Sequence, residues 1–285
     1  MNQKIKIILA GTGTFSAKIF KSLLDNDRFE VVGLISQPNR ALDRSKNVIL
    51  TPVAKLAKEY QVTLFQPNKI KEIVDELKER EFDFFITAAY GQIIPNDILA
   101  LPKKAAINVH GSILEKYRGA APVQHAILND EKETGISLIY MIDKMDAGDI
   151  IAIEKVQIEE DDTALEIYDK LAKVAIENLP LWLDKLYKNE IIATKQDESK
   201  VTFASKIKNE DAELHLEMST KEALNKIRAF NDQPGAFIVK NQKRLKIFQA
   251  TNQKNKSPLV LEFADGKLYL IEYQFEGKKR IKHTF

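Results

Sequence analysis

Two polar residues that could carry out catalysis lie two positions apart at the end of an apolar segment. The segment, residues 106–109, follows a Pro-Lys-Lys break and is typical of a short buried strand. Because residues two apart on a strand point to the same face, we expect Asn108 and His110 to project together where the strand ends. Open α/β sheets bind ligands at that edge. An amide donor and an imidazole there could polarise a carbonyl and hold the oxyanion that forms when the carbonyl is attacked.

A third candidate is Asp146, in the glycine-containing turn at residues 146–149. This turn follows another predicted strand, residues 136–142, so Asp146 could return to the same pocket as a base or as the partner of His110. The alternative is structural, because a histidine near a strand end commonly makes only structural contacts, and Asp and Gly suit turn geometry. Spacing alone leaves both interpretations open.

The composition is that of an ordinary globular protein. The chain has 285 residues, 44% of them hydrophobic and 29% charged, which fits one large domain or two smaller ones. It has no cysteine, which excludes disulfides and thiolate chemistry, and its four histidines lack metal-ligand spacing, so we expect no metal site. No apolar run is long enough for a membrane span. The first residues show no signal-peptide pattern, so we expect a cytoplasmic protein.

The charge is unevenly distributed along the chain. Residues 201–285 hold 16 Lys and Arg against 10 Asp and Glu, a net of about +6, and residues 1–200 carry about −4. A basic C-terminal part suggests a polyanionic partner. The alternative is a lysine-rich, solvated surface.

The first half of the chain alternates strand and helix patterns, which predicts an α/β fold with a doubly wound, Rossmann-like parallel sheet. Strands are expected at residues 4–10, 31–36 and 82–89, and helices after the first strand, at 51–60 and at 69–79. The turn at residues 11–13 invites a dinucleotide-binding interpretation. We discount it, because Ser16 stands where the third glycine should be and no acidic residue ends the second strand.

The second half predicts a different architecture. A long helix is expected at residues 163–188, followed by a polar stretch that is typical of a linker. Then come a helix at 219–230 and several short strands, two of them flanking an Asp-Gly hairpin signal at 265–266, which predict a small β-barrel. We therefore expect a catalytic domain at residues 1–189, a linker at 190–202 and a smaller β-barrel domain at 203–285.

Three ordered stretches resemble the signature of the 10-formyltetrahydrofolate-dependent formyltransferases. In that family they read Asn-Val-His-Gly-Ser-Leu-Leu-Pro, Arg-Gly-Ala-Ala-Pro and Leu-Asp-Thr-Gly-Asp. Here they are residues 108–115, 118–122 and 145–149. Two further family elements also have counterparts here. The turn after the family's first strand corresponds to residues 11–16, and its Ala-Tyr-Gly element corresponds to residues 89–95.

The resemblance implies a donor and a set of site residues. The donor would be 10-formyltetrahydrofolate, with Asn108 and protonated His110 stabilising the oxyanion and Asp146 pairing with His110 to help deprotonate an attacking amine. The folate pocket would be lined by Tyr90, Gly91, Ser112, Ile113, Leu114 and Glu115. Glu115 departs from the family pattern, which has a proline there.

Within the family, the chain resembles most the formyltransferases that act on methionyl initiator tRNA. Residues 227–236 resemble the start of the oligonucleotide-binding (OB-like) barrel of those enzymes, and 37–53 resemble their acceptor-stem loop, with departures that include Asn39. The resemblance implies that initiator Met-tRNA is the partner of an enzyme that we expect to be monomeric. The residues implied in binding tRNA are Arg40, Arg44, Lys278, Lys279 and Arg280. Three alternatives stay open: a formyltransferase for an amino-sugar nucleotide, a formyltetrahydrofolate hydrolase, and a non-catalytic RNA-binding protein.

Overall fold

The computed structural model describes residues 3–42, 45–240 and 242–284, which form two compact units. The first unit comprises the chain up to residue 118 together with 135–156 and 169–202, and the second comprises 119–134, 157–168 and the chain from 203 onward. The strands are β1 Ile5–Gly11, β2 Phe29–Ile35, β3 Ala41–Leu42, β4 Val48–Ile49, β5 Leu64–Phe65, β6 Phe84–Ala88, β7 Ala105–His110, β8 Arg118–Gly119, β9 Glu133–Tyr140, β10 Ile150–Gln157, β11 Phe203–Ala204, β12 Ala236–Lys240, β13 Lys243–Thr251, β14 Val260–Phe263, β15 Gly266–Phe275 and β16 Ile281–Lys282. The helices are α1 Thr14–Leu24, α2 Pro52–Tyr60, α3 Val74–Lys78, α4 Asn96–Leu99, α5 Pro122–Leu128, α6 Ala164–Tyr187 and α7 Thr220–Ala229.

The first unit is built on a seven-stranded sheet with the order β10-β9-β7-β6-β1-β2-β5. Strands β7, β6, β1, β2 and β5 run parallel, and β9 pairs antiparallel with β7. Every residue of β6 is buried, as expected for a central strand of a sheet whose faces are both covered. The predicted α/β fold with a largely parallel sheet is confirmed.

The turn between β1 and α1 explains why Ser16 replaces a glycine. A Cβ on Gly11 would lie 2.4 Å from the Cβ of Ser16 and 2.8 Å from the carbonyl oxygen of Ala88. The Ser16 hydroxyl donates to that same carbonyl at 2.6 Å and accepts from the amide of Thr12 at 3.3 Å. Ser16 therefore fastens α1 to β6 by side-chain hydrogen bonds, and Gly11 is needed for the close approach.

Two predicted helices behave differently in the structure. The Thr51 side chain accepts from the amide of Ala54 and caps α2, as expected of a threonine followed by a proline. The helix predicted at 69–79 is instead a 3-10 turn, Ile70–Ile73, followed by the short α3. The amide of Ile70 bonds to the Gln92 side chain at 2.8 Å, a tertiary contact that a helical periodicity does not contain.

The second unit contains a five-stranded antiparallel sheet with the order β12-β13-β15-β14, and β16 also pairs with β15. Helix α7 packs on β13 and β15 around a core that includes Ile227, Ile247 and Leu270. The predicted hairpin between β14 and β15 is present, with Phe263 paired to Gly266. The prediction of a C-terminal β domain is confirmed, and the domain boundaries at residues 189 and 203 stay predictions.

Membrane insertion by a helix finds no support in the part of the chain that the structure describes. None of the helices there combines the length and the apolar content that crossing a bilayer requires.

The close contacts of Gly11 in the β1–α1 turn predict that a larger residue there lowers the free energy of unfolding, and Gly13 provides a control. Gly11→Ala should destabilise the protein by about 1–3 kcal/mol, because the new methyl group overlaps Ser16 and the Ala88 carbonyl. Gly13→Ala, two residues away, should cost less than about 1 kcal/mol, since nothing lies within 4 Å of its Cβ position. Urea unfolding monitored by circular dichroism measures both. Equal losses in the two variants would contradict this explanation of the turn.

Candidate active site

The structure brings Asn108, His110 and Asp146 together in the first unit. Asn108 and His110 lie at the end of β7, and Asp146 lies in the loop after β9, the strand paired with β7. The Asn108 side-chain nitrogen donates to Asp146 Oδ1 at 3.1 Å, and His110 Nδ1 lies 3.5 Å from Asp146 Oδ2. The carboxylate thus faces both partners at once. The catalytic roles of the three residues stay predictions at this point.

The contacts of His110 constrain where its protons lie. Its Nε2 lies 2.9 Å from the carbonyl oxygen of Tyr117, and a carbonyl can only accept, so Nε2 carries a proton. Its Nδ1 faces the Asp146 carboxylate, which also only accepts when it is ionised. His110 Nδ1 is therefore the ring nitrogen that faces the carboxylate. The His110 and Asp146 side chains are 5% and 13% exposed, so solvent screens this pair weakly.

The orientation of the Asn108 amide is set by Thr87 on the neighbouring strand β6. Thr87 pairs with Asn108 in the parallel ladder, and its hydroxyl donates to Asn108 Oδ1 at 2.7 Å. The amide nitrogen consequently points to Asp146. Sequence reasoning did not single out Thr87, because its importance comes from the register of two strands about 20 residues apart.

The backbone of the Asp146 turn is held by a residue from the predicted linker. Asp146 has a left-handed conformation with φ of +50°, which Asp tolerates better than most residues. The Gln196 side chain donates to the carbonyl oxygens of Asp146 and Gly148 at 2.9 and 2.7 Å. The buried guanidinium of Arg118 donates in turn to the Gln196 side-chain oxygen. The sequence pattern predicts neither contact, because Arg118 and Gln196 are 78 residues apart and meet only through the tertiary fold.

The loop after His110 contains four of the predicted folate contacts. The Ser112 hydroxyl is fully buried and donates to the Lys116 carbonyl at 2.7 Å, so it serves the loop itself. Leu114 is also buried, and its amide donates to Ser137 Oγ at 3.1 Å. Ile113 and Glu115 are half-buried and reach the surface, with Glu115 Oε1 accepting from the amide of Asp197 at 2.5 Å. Ile113 and Glu115 thus reach the surface and the Ser112 hydroxyl does not, and the folate contacts of this loop stay predictions.

The other two predicted folate contacts differ from each other. The Tyr90 side chain packs in a core cluster with Ile8, Phe65 and Phe85, and burial raises its pKa to about 12. Its hydroxyl has no hydrogen-bond partner among the described residues. Gly91 is exposed with φ of +85°, a conformation that favours glycine. A ligand at this position would therefore meet the backbone of Gly91 before the ring of Tyr90.

The predicted tRNA contacts lie on both units. In the first, Arg40 is exposed at the start of a loop whose base is fixed by Asn39, which accepts from the Thr51 amide at 2.9 Å. Arg44 lies outside the described residues. In the second unit Lys278 and Lys279 are exposed.

Arg280 has protein partners of its own. It bonds to Asp232 and Glu272 at 2.6 Å each, and its guanidinium carbon lies 3.6 Å from the centre of the Phe248 ring. A phosphate would have to compete with two carboxylates for Arg280, whereas Lys278 and Lys279 extend from the neighbouring exposed turn.

Comparison with known protein families accounts for most of the chain. Residues 3–183 match the family model described as formyl transferase, and residues 206–284 match the model of the formyl transferase C-terminal domain. The chain belongs to the formyltransferase family. The family resemblance inferred from the three sequence stretches is therefore confirmed.

Individual formyltransferases are similar over nearly the full length. The chain is 48% identical to the methionyl-tRNA formyltransferase of Mycoplasmopsis pulmonis, over 99% of this chain and 97% of that protein. It is 39% identical to the methionyl-tRNA formyltransferase of Malacoplasma penetrans, over 96% of this chain and 90% of that protein.

Solved structures share the fold at lower identity. HypX from Aquifex aeolicus, crystallised with tetrahydrofolic acid, has a TM-score of 0.71 and 18% identity over 98% of this chain, which spans 45% of that chain. An N-formyltransferase from Helicobacter canadensis, in complex with folinic acid and dTDP-3-aminofucose, has a TM-score of 0.70 and 20% identity over 93% of this chain and 98% of that chain. Because formyltransferases with different acceptors share this fold, the fold alone does not identify the acceptor.

Proposed function

We propose that this formyltransferase moves a formyl group from 10-formyltetrahydrofolate to the α-amino group of methionine on initiator tRNA. The observation that carries the proposal is the Asp146 carboxylate, which faces Asn108 and His110 together at the carboxyl end of β7. The similarity to methionyl-tRNA formyltransferases over nearly the full chain supports the same acceptor here.

The residues present fit a formyl donor. When bound, 10-formyltetrahydrofolate supplies an activated formyl group whose oxygen gains negative charge as an amine attacks the carbon. The site offers an amide N–H donor, an imidazole and a carboxylate within one small, mostly buried cluster. Ile113, Glu115 and the Gly91 backbone are positioned at the surface, where they could hold the ring system of the donor.

Asn108 and His110 would stabilise the developing charge. One N–H of the Asn108 amide is taken by Asp146, and we assign the second to the formyl oxygen. Since Nε2 of His110 is committed to the Tyr117 carbonyl, we assign His110 a contact with the formyl oxygen through its Nδ1 side, where a proton would be shared with Asp146. Fixed donors of this kind act without reorganisation when the charge appears.

Asp146 would help to remove a proton from the attacking amine. The amine must lose a proton as it bonds to the formyl carbon, and the Asp146–His110 pair is the acceptor within reach of the same cluster. The same pair would then return a proton to the tetrahydrofolate nitrogen as the bond between that nitrogen and the formyl carbon breaks.

Charge and exposure support an RNA acceptor. Residues 201–285 carry about +6, Lys278 and Lys279 are exposed, and Arg40 is exposed in the first unit. We propose that these side chains contact tRNA phosphates and that Arg40 lies near the acceptor end. An amino-sugar nucleotide would leave this positive surface without a role.

Two expectations concern the state of the protein and not its chemistry. We propose that the enzyme acts as a monomer, because a single chain supplies all three residues of the cluster. We also propose that it acts in the cytoplasm, where charged initiator tRNA is available. A sedimentation-velocity experiment that gave a dimer at assay concentration would contradict the first of these.

Substitution of the three clustered residues tests the proposed chemistry. Asn108→Ala, His110→Ala and Asp146→Asn should each lower turnover in formyl transfer to initiator Met-tRNA by about 10²–10³-fold, because each removes a donor or the proton acceptor. Asp143→Asn is the matched control, since Asp143 is an exposed carboxylate three residues before Asp146. Circular dichroism should show all four variants folded. Near-native turnover in any of the three would remove that residue from the mechanism.

A pair of lysines tests the proposed tRNA surface. The double variant Lys278→Ala and Lys279→Ala should weaken binding of initiator tRNA and flatten the slope of log affinity against log salt by roughly 1.8, because two phosphate contacts are lost. Affinity for the folate should not change. The control is Lys173→Ala with Lys185→Ala, two exposed lysines of α6. Equal salt slopes for both double variants and the wild type would exclude this surface.

A further inference from the structure

Gln196 uses every hydrogen-bonding position of its side chain within the first unit. Gln196 is 5% exposed. Its Oε1 accepts from Arg118 Nε at 2.9 Å and from Arg118 Nη2 at 2.8 Å. Its Nε2 donates to the carbonyl oxygens of Asp146 and Gly148 at 2.9 and 2.7 Å. A primary amide has two N–H groups and two acceptor positions, so none is left over for a ligand. Two of the hydrogen bonds of Gln196 therefore hold the Asp146 turn.

Arg118 fixes the direction of this amide. A guanidinium can only donate, so the oxygen of Gln196 must face it and the nitrogen must face the turn. Arg118 is 1% exposed and also donates to Glu198 at 2.9 Å, which keeps its charge paired. The amide of Gln196 therefore has one orientation.

The turn that Gln196 supports is tightly constrained. Asp146 has a positive φ of +50°, and a Cβ on Gly148 would lie 1.9 Å from the carbonyl oxygen of Tyr140. The two carbonyls on either side of Ala147 both point to the Gln196 nitrogen. Without the Gln196 N–H groups, the carbonyl oxygens of Asp146 and Gly148 would lose a hydrogen-bond partner. That loss favours rearrangement of the turn.

The segment around Gln196 also contacts the loop after His110. The amide of Asp197 donates to Glu115 Oε1 at 2.5 Å, and Thr194 exchanges backbone hydrogen bonds with Ile150 at 2.8 Å. One short segment thus contacts both the Asp146 turn and the loop that carries the proposed folate residues.

We propose that Gln196 is a positioning residue that places the Asp146 carboxylate against Asn108 and His110. It contacts none of the proposed reacting groups and acts through the backbone of the turn. The inference rests on the proposed function, since it assumes that Asp146 takes part in formyl transfer. The competing role is purely structural, in which Gln196 only anchors residues 194–202 to the first unit.

Gln196→Glu separates the two roles. Glutamate has nearly the same volume and still accepts from Arg118, but it replaces the N–H donors with an oxygen that faces two carbonyls. The variant therefore keeps the contact with Arg118 that anchors residues 194–202, and it loses the hydrogen bonds that place the Asp146 turn. We expect kcat for formyl transfer to initiator Met-tRNA to fall about 10–100-fold, in line with small displacements of catalytic groups. KM for both substrates should stay within about twofold.

A double-variant cycle shows whether the loss passes through Asp146. In an Asp146→Asn background, Gln196→Glu should cost less than about twofold in kcat, because residues that act as a unit are not additive. Multiplication of the two losses would assign Gln196 a separate, structural role and overturn the inference. Asp143→Asn, at an exposed position of the same loop, is the control and should retain wild-type kcat.

A second variant keeps the test decisive if Gln196→Glu does not fold. Gly148→Ala displaces the same turn through its contact with the Tyr140 carbonyl and should give the same kcat-specific, non-additive loss. Wild-type kcat in folded Gly148→Ala would show that placement of this turn does not affect turnover and would overturn the inference. Wild-type kcat in the folded Gln196→Glu protein, with Asp146→Asn impaired, would overturn this inference alone. Wild-type kcat in Asp146→Asn would instead overturn the proposed function.

Discussion

The Asp146 carboxylate can only accept hydrogen bonds when it is ionised, and it faces two donors from the end of β7. This requirement turns the nitrogen of the Asn108 amide inward, with Thr87 holding the oxygen on the other side. His110 faces Asp146 with its Nδ1, while its Nε2 donates to the Tyr117 carbonyl. The orientation of the cluster thus follows from one acceptor whose side chain is 13% exposed.

An acceptor of this kind is useful only if its backbone stays in place. The sheet fixes Asn108 and His110, because β7 lies between β6 and β9. Asp146 lies in a loop, and its position depends on the absence of a side chain at Gly148 and on the amide of Gln196. The segment that follows α6 therefore belongs to the architecture of the first unit, although its polarity is typical of a linker.

The local sequence pattern predicted the strand residues of the site but not the residues that hold them in place. The two-residue alternation of a strand places Asn108 and His110 on one face, and it needs no knowledge of the rest of the fold. Gln196 and Thr87 contact the cluster through tertiary register, which the sequence pattern does not contain. The same limit applies to Ser112 and Arg280, which have polar side chains that could serve a ligand but are bonded to protein groups. The helix predicted at 69–79 was wrong in its first turn for a similar reason, since Ile70 bonds to Gln92.

The chemistry of the cluster would serve any amine, so the acceptor must be chosen elsewhere on the protein. We assign that choice to exposed basic side chains, and the similarity with methionyl-tRNA formyltransferases supports tRNA as the acceptor. The most direct test is one reaction that contains 10-formyltetrahydrofolate, initiator Met-tRNA and an amino-sugar nucleotide at equal concentration, with a parallel reaction that has no acceptor. We expect formylmethionyl-tRNA as the dominant product and little formate without an acceptor. Formylation of the sugar in preference to the tRNA, or rapid release of formate, would contradict it.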